Sequence, residues 1–206
     1  SEMCIRDRYD GSAYTLDLAD GRLALVNANL PLTAEPTPEL AVADDATGQQ
    51  LEAEAAEQYR AMAAAAAADG ITLELVTGYQ DVSAREAAFD ARKQVYLEKG
   101  LSEEEAAAYA ASVCPPANAS EQATGYAVDI LSPDCTEKTT RFADTRAYEW
   151  LTAYAAEYGF ILRYPKGKQD VTGIIFEPWH FRYVGVEIAT YIMENNLTLE
   201  EYLGAA

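Results

Sequence analysis

Glu177-Pro178-Trp179-His180-Phe181-Arg182-Tyr183 sets a carboxylate three residues before an imidazole. A second stretch, Ser120-Glu121-Gln122-Ala123-Thr124-Gly125-Tyr126-Ala127-Val128-Asp129, ends on another carboxylate. An imidazole and a carboxylate can hold a metal ion while a second carboxylate takes a proton from metal-bound water, so these residue types are the materials of a hydrolytic metal site. Glu-x-x-His alone is a short pattern that an acidic chain of 206 residues produces by chance. His180 is the only histidine, so any imidazole chemistry runs through it. The bland alternative is a core histidine paired with Asp129 or Glu177.

Working outward, Ala127–Leu131 reads as a strand carrying Asp129 inward, and Gly173-Ile174-Ile175-Phe176 as the strand that delivers Glu177 and His180. Ile71–Thr77 alternates and is β-branched, so it is a strand ending at Gly78-Tyr79-Gln80. Phe160–Tyr164 is a further strand, followed by a turn at Pro165-Lys166-Gly167-Lys168. The Ala-rich run from Gln49 to Asp69 is a helix stopped by Gly70. Ser83 with Glu86, and Ser102 with Glu105, are capping boxes that open two more helices. Helices also follow Asp144-Thr145, to Gly159, and span Val186–Asn195 and Thr198–Leu203. Residues 9–26 alternate around Asp20-Gly21 and read as a hairpin or two short strands. Residues 27–47, with Pro31, Pro36 and Pro38, read as an extended loop. Helices and strands that segregate instead of alternating strictly indicate an α+β fold. One domain over residues 9–206 is expected. Ser1–Arg8 is set aside as a non-native or disordered tail.

The net charge is −19. Phosphate binding needs clustered Lys and Arg, so nucleic acid and anionic membrane surfaces are not the expected partners. No apolar run approaches the ~20 residues that span a bilayer, and no signal peptide is expected. The three cysteines match no zinc spacing. Cys114 and Cys135 flank the Ser120–Asp129 stretch, and either a disulfide or two buried thiols suits them.

The two motifs together resemble those of the VanY-type D-alanyl-D-alanine carboxypeptidases, zinc enzymes that trim peptidoglycan stem peptides. The family pattern is Ser-x-His-x-x-Gly-x-x-x-Asp followed tens of residues later by Glu-x-Trp-His. The likeness extends from Leu25-Val26-Asn27 through Val76-Thr77-Gly78-Tyr79, Phe142–Thr145 and Tyr158–Gly167 to Tyr183-Val184-Gly185. It implies a small central, mostly antiparallel sheet flanked by helices, the DD-peptidase (Hedgehog-like) fold. It implies Asp129 and His180 as zinc ligands and Glu177 as the general base. Ser120, Tyr79, Gln80 and Trp179 fall at substrate-binding positions. The implied partner is a stem peptide ending in D-Ala-D-Ala, and the implied location is extracytoplasmic in a bacterium.

Two positions depart from the pattern. Gln122 stands where the family has its first histidine, and a neutral amide is a poor zinc ligand. Losing one of three strong ligands weakens zinc binding by roughly 3–5 kcal/mol. Gln80 stands where the family carries Arg, so a fixed bidentate guanidinium is missing there. Three function classes are open on these residues: a carboxypeptidase of impaired activity, a non-catalytic peptide-binding module, and a structural remnant.

Overall fold

The computed structural model describes residues 18–205. Its regular elements are β1 (Leu40–Val42), β2 (Gln50–Glu52), α1 (Ala53–Ala68), β3 (Glu74–Thr77), α2 (Val82–Glu98), α3 (Glu103–Val113), β4 (Ala127–Leu131), α4 (Arg146–Tyr154), β5 (Phe160–Leu162), α5 (Gln169–Thr172), β6 (His180–Tyr183), α6 (Val186–Glu194) and α7 (Leu199–Leu203). Short 3-10 turns join several of them. The fold is α+β. A four-stranded sheet has the order β3-β4-β6-β5 with every pair antiparallel, and β1-β2 form a separate two-stranded sheet.

The pleat divides the larger sheet into an apolar and an ionic face. Val128 opposes Phe181, which opposes Leu162, and these side chains enter a core with Leu51, Tyr59, Met62, Leu75 and Phe160. One residue along, Asp129 opposes His180 and Ala127 opposes Arg182. Because side chains alternate across a strand, the register that buries Val128 and Phe181 also aims Asp129 and His180 the other way. Thr77 of β3 opposes Asp129 as well. Thr77, Asp129 and His180 thus form one rung across three strands.

Helix α1 buries Ala55, Tyr59, Met62 and Ala66, an i, i+4, i+7, i+11 stripe, against the apolar face. Trp150 of α4 is anchored beneath it by an indole N–H donated to Asp69 at 2.8 Å. A second apolar cluster, with Leu25, Ile161, Val184, Ile192 and Leu203, seats α6 and α7.

Several expectations are corrected. Residues 9–17 lie outside the described residues, but Leu18–Leu23 is a 3-10 turn and Leu23–Val26 is no strand. The Arg182 guanidinium donates to the carbonyls of Gly21 and Arg22, which a hairpin ladder would have needed. The proline-bearing loop contains β1, and Gln50–Glu52 pairs with it in place of starting the helix. Glu52 instead caps α1, accepting from the amides of Glu54 and Ala55. The cap of α2 is Asp81, not Ser83, because its carboxylate reaches the Ala84 amide at 2.7 Å. The helix after Thr145 leaves α geometry at Tyr154 and finishes as a 3-10 turn over Ala155–Tyr158. Residues 173–176 are not a strand: the Ile175 amide is spent on the Ser112 carbonyl at the end of α3. The Ser102–Glu105 capping box is formed in full.

Candidate functional site

The strand that carries His180 begins only after a tight turn. The His180 amide donates to the Glu177 carbonyl at 3.2 Å, with Pro178 in the second turn position that its fixed φ favours. This turn swings Glu177 back beside the imidazole, and its carboxylate lies 4.0 Å from Nδ1. On the other side, Glu121–Thr124 forms a 3-10 turn capped by Ser120. Gly125 then reverses the chain at φ 81°, with Glu52 so near that a Cβ would lie 2.9 Å from its amide nitrogen. Gly78 meets the same limit, since a Cβ there would stand 2.4 Å from the Gln50 carbonyl.

These elements enclose a cleft of about 190 Å³. Gln80, Gln122, Asp129, Glu177, Trp179 and His180 all line it. Two of the sequence-predicted residues do not. Ser120 is fully buried, and its hydroxyl bonds the Gln122 side chain at 3.3 Å. Tyr79 is half-buried and does not line the cleft.

His180 is held at both ring nitrogens. Nδ1 lies 2.7 Å from Asp129 Oδ1, and Nε2 lies 3.0 Å from Glu121 Oε1. The Tyr164 ring stacks on it at 4.8 Å. Burial alone would push the imidazole pKa down, but the two carboxylates overcome it and raise the value to about 9. The two carboxylates thus favour the imidazolium form of His180 at neutral pH. The second Asp129 oxygen accepts from Lys138 Nζ at 2.6 Å, and Thr77 Oγ1 accepts from the same ammonium at 2.8 Å. Burial works against the Asp129 charge, yet Lys138 and His180 hold its carboxyl well below the usual range. Glu177 is the opposite case. Burial, unrelieved by any hydrogen bond at Oε1, pushes its pKa up to about 8, and Asp129 adds to the rise.

Behind His180 lies an ionic cluster that sequence reasoning missed. Glu121 Oε2 accepts from Arg163 Nε at 3.0 Å and from Arg182 Nη1 at 2.8 Å, with all three side chains at 0% exposure. Arg163 also grips Glu200 through a bidentate fork, both bonds at 2.8 Å. Arg163 and Arg182 are charges beside apolar strand residues, a pattern that by itself points to no buried partner. Nothing local marks a carboxylate on a distant turn as their partner.

Cys114 and Cys135 are both free and half-buried, so the disulfide alternative is not formed. Cys114 Sγ accepts from Arg85 at 3.2 Å, while Cys135 sits in a tight turn against Ser132.

The chain's relatives share this architecture. The family model for VanY, D-alanyl-D-alanine carboxypeptidase, matches residues 48–186. The chain belongs to the VanY family. It is 36% identical over 197 residues to the putative carboxypeptidase YodJ of Bacillus subtilis (strain 168), an alignment covering 91% of this chain and 69% of YodJ. Among solved structures, VanYB in complex with D-alanine-D-alanine superposes with a TM-score of 0.79 at 33% identity, covering 89% of this chain and 97% of that one. A mutant VanY D,D-pentapeptidase from a VanB-type cassette, in complex with Zn(II), superposes with a TM-score of 0.78 at 33% identity, covering 88% and 98%.

Zinc does not fit the donors this VanY-family chain presents. Among the described residues, no group of three or more His, Cys, Asp or Glu side chains could hold a metal ion. Both His180 nitrogens face carboxylates, and both Asp129 oxygens are taken by cations. The Gln122 amide oxygen accepts from the Ser120 hydroxyl. The Lys138 ammonium lies 2.6 Å from Asp129, on the carboxylate oxygen that a metal ion would otherwise use.

Proposed function

We propose that this VanY-family chain binds peptidoglycan stem peptides ending in D-Ala-D-Ala and has lost most zinc-dependent hydrolysis of them. The carrying observation is the closed network His180–Asp129–Lys138. Each atom that would ligate a metal is already spent on an internal partner. The cleft itself persists, with Trp179 as an apolar wall and polar groups converging from three strands. VanYB, which superposes on this chain, is solved in complex with D-alanine-D-alanine. Glu177, neutral below pH about 8, has an unpartnered oxygen and can donate a proton to a peptide carbonyl. We place the chain, as one folding unit over residues 9–206, in a bacterial cell envelope where such peptides occur.

A synthetic stem pentapeptide tests this directly. Calorimetry should record saturable binding that a chelator leaves unchanged, and chromatography should record no D-Ala release with or without added zinc. Zinc-dependent release of D-Ala over many turnovers would restore the carboxypeptidase reading. Failure to bind would leave only a structural role.

A further inference from the structure

Helix α2 runs for 17 residues over the mouth of the cleft, and its one buried side chain is a charge, Arg85. Amphipathic surface helices bury an apolar stripe, so this inversion calls for a cause. Arg85 is 7% exposed and lines the cleft with Ala88 and Arg92, at i, i+3 and i+7 on the same helical face. Its Nη1 donates to Gln80 Oε1 at 3.0 Å and its Nη2 to Cys114 Sγ at 3.2 Å. Its Nε is buried with no partner. Among the described residues no carboxylate forms an ion pair with it. A neutral amide and a thiol do not balance a buried guanidinium, which costs free energy until an anion meets it. The other cation deep in the cleft, Lys138, is already neutralised by Asp129.

We propose that Arg85 is the anion anchor of the cleft and takes the free α-carboxylate of the peptide's C-terminal residue. This rests on the stem-peptide reading given above. The guanidinium fork matches a carboxylate bidentately. Gln80 is its positioning residue: the amide oxygen holds Nη1 and so fixes the plane of the fork. The guanidinium absent from position 80 is thereby delivered from position 85, one and a half helical turns later. Arg92, exposed at the rim, adds positive potential to an opening in an otherwise strongly acidic chain.

The test compares a stem peptide ending in free D-Ala-D-Ala with the same peptide amidated at its C-terminus, by calorimetry on the wild-type chain. Charge-assisted hydrogen bonds of this kind predict that the amide binds roughly 10- to 100-fold more weakly. In Arg85→Gln, checked for native circular dichroism, that discrimination should vanish. In Arg85→Lys, which keeps the charge without the fork, part of it should remain. The exchange Gln80→Arg/Arg85→Gln should recover discrimination that Arg85→Gln loses. If wild type binds acid and amide equally, the anchor is overturned while stem-peptide binding stands. If it binds neither, both readings fall. If Arg85→Gln still discriminates, another cation reads the carboxylate and Arg85 does not.

Discussion

Replacing Glu121 with Gln isolates the ionic cluster behind the imidazole. The substitution keeps size and shape but removes the charge that faces Arg163, Arg182 and His180. Arg163 retains its bidentate pair with Glu200. Arg182 does not fare as well, since its remaining acceptors are the carbonyls of Gly21, Arg22 and Tyr183. The side chains are at 0% exposure, so solvent screening gives no relief. Removing one partner of such a buried pair costs about 3–5 kcal/mol. At about 2–4 °C per kcal/mol for a chain of this size, the Tm of Glu121→Gln should fall by roughly 6–20 °C. Differential scanning calorimetry and urea unfolding would measure it. Asp45→Asn, which breaks the exposed pair with Arg60, is the control and should leave Tm unchanged. A loss below about 1 kcal/mol in Glu121→Gln would refute the reasoning. It would show that the backbone carbonyls alone satisfy Arg182.

Two other outcomes follow from the same network. Gln122→His should not by itself restore tight zinc binding, because Lys138 still holds Asp129; Gln122→His/Lys138→Met should bind zinc at least ~100-fold more tightly than wild type, as read by competition with a chromophoric chelator. If the single variant binds as tightly as the double, Lys138 is no obstacle. Stability should also depend on pH with a definite sign. His180 is raised from 6.5 to about 9 and Glu177 from 4.5 to about 8, so their contributions are complete below pH 4.5 and are lost as pH rises through those values. Glu121 and Asp129 are lowered, so their contributions are present above the ordinary carboxylate range and are lost as pH falls. Tm should therefore peak near pH ~5 and decline toward pH ~9; a Tm that rises between those values would contradict the assignments.

The sheet was legible where periodicity and turn chemistry agreed. Ala127–Leu131 is a short apolar run between Gly125 and Pro133, and it forms β4 as expected. Gly173–Phe176 is as apolar as a strand, but no neighbour offers it a ladder, and Pro178 delays the strand to His180. Pairing is a tertiary fact that a single segment does not carry. The same limit applies at the site. Asp129, Glu177 and His180 could be named because their motifs are local, and the structure brings all three to one cleft. Glu121 could not, because its partners Arg163, His180 and Arg182 lie 42 to 61 residues away, and Lys138 and Arg85 could not, because the turns that bring them to Asp129 and Gln80 belong to no motif. Arg85 carried a faint signal, a cation five residues after Gln80 on the helical face that it shares with Ala88 and Arg92.

The single histidine gives the most direct test of the central claim that internal cations occupy the place of a metal. Nitrogen-15 NMR of the His180 ring at pH 7 should show both nitrogens protonated, and the spectrum should not change when one equivalent of zinc is added. Loss of the Nδ1 proton on zinc addition, with a metal-bound nitrogen shift in its place, would contradict the account.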